Sequence, residues 1–521
     1  MQATSGETAS DQESLHALSK GLLIEKLIAL QQENAVKRAE VEKLVEMIRL
    51  LRRRHFGKSS EKLSREQLGL FNEPEETTQK NPVESQETEE VVHIPAHDRK
   101  KPKRKPIPDN IPRETRIIEL PEEERVCPHD GKRMREIGEE VSEKIDVVPM
   151  QVKAIRTVRK KYACECEEGV KTAPVPAQAI PKSLATEGTL SAIATWKYAD
   201  GLPLYRIEGM FLRHGIEIRR GTLAFWMIRM GELFQPLINL LSEDCISSSY
   251  LQMDETKVQV LKENGKRAES LSYMWVRARP GLKPIILFDY DPTRSGDVPV
   301  KLLDGFRGHL QVDGYGGYNQ ITSKEGVTRG GCFAHSRRRF FEASKVVKKV
   351  GLANVGLKFI GKLYKIEEHC REMSPDARYD VRQKQSKPIL DDMYRWLCEA
   401  RPKVPPKMAI GKAVSYALDE WKYLIRYIDD GRYEIDNGFV ENAIRPFAIG
   451  RKNWLFSDTV EGALASSNIY SLIVTAKANG LEPYAYLRFI LERLPLARNL
   501  TDYEKLLPAA VALESQNSRL H

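Results

Sequence analysis

The sequence predicts a multidomain protein of α and α/β class: an N-terminal coiled coil, a small cysteine-bearing β segment, a helical region, and a strand-rich core carrying a helical insertion. Three observations point there. Apolar residues recur in heptads between Leu23 and Leu51. Acidic and then basic, proline-rich stretches interrupt the chain over residues 71–112. From Ser248 onward, short alternating apolar runs replace the helical period. At 521 residues the chain also exceeds what a single core serves.

The first element, within residues 1–70, is a long helix. With Leu27, Asn34, Val41 and Ile48 at the a position, Leu23, Leu30, Leu44 and Leu51 fall at d, and Lys37 is the one poor d residue. A buried Asn at a favours a dimer in fixed register at some loss of stability, so a homodimer or higher homo-oligomer is expected. The alternative is an amphipathic helix packed on its own domain. The linker over residues 71–112 follows. EPEETTQKNPVESQETEE is too polar to fold alone, and DRKKPKRKPIP is either a phosphate-tracking arm or a solvated spacer.

Charge and cysteine usage narrow the classes. Lys plus Arg number 82 against 73 Asp plus Glu, giving +9, a balance that permits nucleic-acid binding without requiring it. The polar start MQATSGETASDQ lacks the order of a signal peptide, and no apolar run is long enough to span a bilayer, so no membrane partner is expected. Seven cysteines are too few for a disulfide scaffold in a chain this size, and a reducing cytoplasm is the simplest location.

Residues 113–172 read as short strands, RIIEL and IRTVRKKYAC, with Cys127, Cys164 and Cys166 at their ends. This is a zinc-ribbon-like pattern, but CPHD supplies one cysteine and CEC spaces its pair by one residue. A Zn²⁺ site on these three and a metal-free β segment both stand. Residues 173–246 read as helical. Within them LPLYRIEGMFLRHGIEIRRGTLAFWM has helix-turn-helix spacing, with the second helix starting near Arg219 and Thr222. Arg219 and Arg220 at that start suit docking on DNA, although such pairs are also plain packing units.

The strand-rich core opens over residues 247–340. SSYLQMDETKVQVL, LSYMWVRAR, PIILFDYD, GHLQVDGYGGYNQI and VTRGGCFAH are five strand candidates. Asp254 and Asp313 sit in otherwise apolar strand-like runs, where a carboxylate is costly unless paired, hydrogen-bonded or metal-bound. Because side chains alternate, only one of Asp254 and Glu255 can join a given site. Residues 341–430 read as a helical insertion, and 431–482 return to the core through YEIDNGFVENAIRPFAIGRKNWLF. There Asn437, Glu441 and Arg445 share a helix face, Asp436 and Asn437 suit its start, and Pro446 should end or kink it. Residues 483–521 form a helical tail.

Five of these strings together, MDET, QVDGYGGY, CFAHSRRRFFEA, NGFVENAIRPFAIGRKNWLFS and SLIVTAKANGLEPYAYL, resemble the insertion-sequence-66-type transposases. FGKSSEKL and WKYADGLPLYR extend the resemblance upstream over nearly the whole chain. The cysteine segment departs from that family's two Cys-x-x-Cys knuckles. The resemblance implies a DDE transposase with an RNase H-like catalytic core, whose acids on the first strand, at the end of the fourth and on a later helix match Asp254, Asp313 and Glu441. It implies two Mg²⁺ or Mn²⁺ ions held by these three, with Asp254 between them. It further implies cleavage at the element's terminal inverted repeats, transfer of the resulting 3′-hydroxyl into target DNA, nucleoid association when DNA-bound, and accessory proteins from the same element. His335, Arg337, Arg338 and Arg339 after the fifth strand, and Arg445, Arg451 and Lys452 near the third acid, are then phosphate contacts. Trp454 reads as a core residue. Another RNase H-like nuclease, or a non-catalytic or helper-dependent DNA-binding derivative of a transposase, are the alternatives.

Overall fold

The computed structural model describes residues 150–163, 170–345 and 351–518. The heptad helix, the linker, and Cys127, Cys164 and Cys166 lie outside these residues. The chain divides into two compact units, residues 58–157 and the remainder. Of the first, residues 150–157 are described and form no regular element. The elements that follow all belong to the second unit.

A short antiparallel hairpin, β1 (Lys161–Ala163) with β2 (Val170–Thr172), represents the cysteine-bearing segment. Three helices follow: α1 (Glu187–Ala194), capped by the Thr186 side chain, α2 (Leu204–Arg213) and α3 (Arg220–Ile246). The expected helix-turn-helix spacing is present, but α3 runs for 27 residues and is a core element for most of its length. Leu223, Met227, Met230, Phe234, Leu237 and Leu241 bury one face at helical intervals.

The alternating segments then form a mixed sheet. Its strands are β3 (Tyr250–Lys262), β4 (Leu271–Arg279), β5 (Ile285–Asp291), β6 (Gly308–Gln311), β7 (Val327–Gly330) and β8 (Ser457–Thr459). The order is β5-β4-β3-β6-β7, with β8 beside the far end of β3. β3, β4 and β5 form an antiparallel meander, whereas β6 runs parallel to β3 and β7 parallel to β6. The helix α4 (Asp297–Leu302) lies on the crossover between β5 and β6.

The fourth and fifth strands are shorter than the sequence suggests. β6 stops at Gln311, before the glycine-rich DGYGGY, and Asp313 lies beyond its end. β7 stops at Gly330, and Cys332 caps the helix α5 (Phe333–Ser344) rather than extending the strand. A side chain at 330 would fall within 2.1 Å of the His309 ring, so β6 and β7 meet closely there.

Next come α6 (Leu352–His369), α7 (Pro375–Val381), α8 (Lys387–Ala400) and α9 (Ala409–Asp419). With α5 they enclose a second core of Phe333, Phe340, Ile360, Leu363, Met393, Leu397 and Val414. Inside it Arg382 is fully buried. Its guanidinium donates to Glu367 (2.6 and 2.9 Å) and to the carbonyls of Tyr427, Asp430 and Tyr433 (2.7–2.8 Å). Arg382 thereby grips the 3-10 turn and bends that lead into the next helix, α10 (Gly438–Trp454).

Pro446 neither ends nor interrupts α10, which continues to Trp454, because Ile444 and Phe447 on either side are buried in the main core. The lost backbone donor is outweighed by that packing. The chain closes with α11 (Val460–Ala478), α12 (Pro483–Arg493) and α13 (Pro508–Ser518). α11 is buried nearly all round and sits between α3 and the sheet. At Gly231 of α3, a Cβ would come 2.5 Å from Ala465 Cα, so the two helices touch backbone to backbone.

α11 also seals the free edge of the sheet. Ser471 and Thr475 accept from the N–H groups of Phe288 and Ile286 (2.8 and 3.0 Å), and Thr475 returns a bond to the Ile286 carbonyl (2.8 Å). Asn479 donates to Pro284 O (2.9 Å). Residues four apart on one helix face thus satisfy the β5 edge that would otherwise invite another strand. A boundary at residue 246 does not separate two cores: α1–α3, the sheet, α10 and α11 share one hydrophobic cluster.

Candidate active site

Register decides where the acids emerge. β3 and β6 pair in parallel with Gln252 opposite Gln311. Asp254 and Asp313 each lie two residues further along, which sets Asp254, within β3, beside Asp313 just past the end of β6. Period-two alternation sends Asp254 to one face and Glu255 to the other. There the Glu255 carboxylate is met by Arg294 and the Tyr318 hydroxyl.

The third acid is brought to this point, where β6 ends beside β3, by the two glutamines. Gln252 Nε2 donates to Asp436 O (3.2 Å) and Gln252 Oε1 accepts from Val440 N (3.1 Å). Gln311 Nε2 donates to Glu434 O (2.7 Å) and Gly331 O (3.1 Å), while the Tyr250 hydroxyl donates to Gln311 Oε1. Asn437 Nδ2 adds a bond to Met253 O (3.0 Å). Asn437 is the first residue of the helix cap, but Asp436 does the capping, through Oδ1 and the Gly438 N–H (2.8 Å). Glu441 falls one turn later.

The electrostatics record this gathering. Burial, then the charges of Glu255, Glu441 and Asp313, hold the Asp254 carboxyl well above the usual range. No ion pair to Asp254 forms among the described residues; Oδ1 accepts from the Glu255 N–H (2.8 Å). Burial pushes Glu441 up to about 7, with Arg338 opposing and the charges of Asp436 and Asp313 adding to the rise. Asp313 Oδ1 accepts from Tyr315 N (2.9 Å), and its carbonyl is held by Arg329 (2.8 Å), itself paired with Glu420 (2.7 Å).

The basic residues expected near the acids divide. His335 Nδ1 lies 3.5 Å from Glu441 Oε1 and Arg338 3.7 Å from Oε2, and Arg445 is close enough to lower the Glu441 carboxyl. Arg337 and Arg339 turn to the insertion, over the rings of Tyr364 (5.7 Å) and Tyr416 (4.1 Å). Arg451 is drawn to Thr256 Oγ1 (3.3 Å), and Lys452 is exposed. Arg219 and Arg220 are exposed at the start of α3, where the Arg220 N–H is capped by Glu208 (2.9 Å). Trp454 packs edge-on to Phe447, as a core residue does.

Sequence reasoning missed Cys332. It is buried at the start of α5, 3.9 Å from Glu441 Oε1, and accepts from the Asn437 N–H (3.3 Å). The tightest potential metal-binding group among the described residues is Cys332, His335 and Glu441, with ligand atoms within 4.8 Å of one another. The Cys-x-x-His spacing in CFAH was the available signal. No signal in the sequence marked Gln252 and Gln311 as a pair, because their meeting depends on strand register.

Comparison with known proteins covers most of the chain. The family described as "Transposase IS66 family" matches residues 182–465, and the "IS66 C-terminal element" matches 471–509. "Transposase C of IS166 homeodomain" matches 43–116, and the "zinc-finger binding domain of transposase IS66" matches 124–167. Uncharacterized protein y4qI of Sinorhizobium fredii (strain NBRC 101917 / NGR234) is 32% identical over 484 residues, 89% of this chain and 88% of that protein. Uncharacterized protein y4jD of the same organism is 32% identical over 416 residues, covering 77% and 81% respectively. Among the described residues, no helix is long and apolar enough to cross a membrane.

Proposed function

The chain belongs to the IS66 transposase family, and from that premise we propose that it cuts the ends of its own insertion sequence and joins them to target DNA, with Asp254, Asp313 and Glu441 as the metal-holding carboxylates. The observation that carries the reading is the meeting of these three where β6 ends beside β3. There burial, then the charges of Glu255, Glu441 and Asp313, raise the Asp254 carboxyl, which has no ion pair among the described residues. The strand order β5-β4-β3-β6-β7, an antiparallel meander continued by two parallel strands, supports an RNase H-like core.

The donor set fits divalent Mg²⁺ or Mn²⁺: three carboxylates supply hard oxygen ligands, and their mutual repulsion favours a cation among them. Such ions, when bound, stabilise charge on the attacking and leaving oxygens of a phosphodiester displacement. The chain's own residues set the stage for this. Gln252, Gln311 and Asn437 fix α10 against β3 and β6, so that Glu441 cannot drift from Asp254 and Asp313. Arg338 and Arg445 beside Glu441 offer positive charge to a DNA phosphate. Hydrolysis at the element's end would leave a 3′-hydroxyl, and transesterification would exchange one target phosphodiester for the new joint.

Other parts of the chain have matching roles in this proposal. The exposed Arg219 and Arg220 at the start of α3 contact the backbone of the terminal repeats. The heptads of residues 23–51 hold a homo-oligomer together. The zinc-finger match over 124–167 supports Zn²⁺ on Cys127, Cys164 and Cys166. Asp254→Asn and Asp313→Asn should each abolish end cleavage while retaining end binding by gel shift. Cleavage at the wild-type rate by either variant would overturn its assignment.

A further inference from the structure

We propose that Cys332, His335 and Glu441 form a second cation site, selective for a soft divalent ion such as Zn²⁺, which competes for the third acid. The residues come from two helix starts that face each other. Cys332 caps α5 and His335 lies three residues on, so both side chains fall on one side of its first turn. Glu441 enters from the first turn of α10. Its Oε1 is 3.9 Å from Cys332 Sγ and 3.5 Å from His335 Nδ1, and the three ligand atoms lie within 4.8 Å of one another.

Zn²⁺ binds sulfur at about 2.3 Å and imidazole nitrogen at about 2.0–2.1 Å, which sets tetrahedral ligands roughly 3.3–3.8 Å apart. Closing the group to that spacing needs side-chain movements of about 1 Å or less. Two further observations point to a ligand. His335 Nδ1 is buried and makes no hydrogen bond among the described residues. The Cys332 sulfur is buried between the Glu441 carboxylate (3.9 Å) and the Asn437 N–H, which it accepts at 3.3 Å.

A sulfur, nitrogen and oxygen set selects Zn²⁺ or Co²⁺ and disfavours Mg²⁺, so this group and the three acids prefer different ions. Glu441 belongs to both sets. An ion on Cys332 and His335 would draw it from Asp254 and Asp313, and is therefore inhibitory. That consequence rests on the function proposed above, whereas the binding does not.

The test uses the full chain, stripped with EDTA and titrated with Co²⁺ while the thiolate-to-cobalt absorption is followed. Cys332→Ser and His335→Gln should each bind one cobalt per chain fewer than wild type, with Zn²⁺ displacing the wild-type signal. Any ions on the zinc-finger segment are common to all three proteins and cancel. Equal cobalt counts and identical spectra in wild type and both variants would overturn the site. His335→Gln gives the answer should Cys332→Ser fail to fold. In parallel, Zn²⁺ added one equivalent per chain beyond that held by the zinc-finger segment should reduce Mg²⁺-supported end cleavage by wild type at least about tenfold. Cleavage indifferent to Zn²⁺, with the cobalt site present, would overturn the inhibitory role. No cleavage in Mg²⁺ under any condition would count against the proposed function and leave the cobalt count to judge the site.

Discussion

Replacing Glu441 by Gln should make the metal-free protein more stable at pH 8 and nearly leave it unchanged at pH 5. The carboxyl is pushed from 4.5 to about 7, chiefly by burial. A raised carboxyl means that the fold prefers the protonated form. Its contribution to stability is whole below pH 4.5 and is lost progressively as pH rises through 7. At about 1.4 kcal/mol per pH unit, a rise from 4.5 to about 7 corresponds to about 3 kcal/mol lost by the wild type above pH 7. Gln does not ionise and loses none of it. At pH 5 the difference should be below about 1 kcal/mol, since Glu441 is still protonated in the fold. Asp254 is raised in part by the Glu441 charge, so the substitution also relieves Asp254 and widens the gap at pH 8. Urea unfolding in EDTA at the two pH values measures the difference. A stability gap independent of pH, or a variant weaker than wild type at pH 8, would refute the argument that burial and neighbouring charge strain this carboxylate.

Three other perturbations read different parts of the account. Arg382→Met leaves buried Glu367 with Arg378 alone (3.2 Å) and strands three carbonyls, and should destabilise by about 3 kcal/mol; a loss below about 1 kcal/mol in urea unfolding would show that the insertion does not depend on this ion pair. Thr475→Val leaves the Ile286 N–H and carbonyl without their partners on α11 and should cost about 1–3 kcal/mol, visible as a lowered Tm. An unchanged Tm would mean that the β5 edge finds its partners elsewhere. Arg219→Gln combined with Arg220→Gln should reduce the magnitude of the salt slope of end binding by about 2, since each phosphate no longer neutralised lowers it by about 0.9. An identical slope would remove the start of α3 from the DNA interface.

The parts of this protein that the sequence revealed are those governed by local rules. LSYMWVRAR coincides with β4, because alternation and the β-branched and aromatic residues act within a single strand. The opposite fates of Asp254 and Glu255 also follow from alternation, and the structure sends Glu255 to Arg294 and Tyr318. What depends on tertiary packing was hidden. Pro446 argued locally for a break, yet buried Ile444 and Phe447 carry α10 through it. The helix-turn-helix spacing was legible, but not that α3 would become a core helix against α11, where Gly231 lets the backbones meet. Cys332 was overlooked because its significance lies in its distance to Glu441, 109 residues away in the chain. Gln252 and Gln311 look like ordinary strand residues until parallel register sets them side by side.

The central claim, that the three carboxylates gathered where β6 ends beside β3 cut and join DNA, is tested most directly by a strand-transfer assay. Purified protein is given labelled DNA bearing the element's own ends and a target plasmid, in Mg²⁺ or in EDTA. The account predicts joined product in Mg²⁺, none in EDTA, and none from Glu441→Gln although that variant still binds the ends. Joined product from Glu441→Gln at the wild-type level would contradict it, as would joining that persists in EDTA.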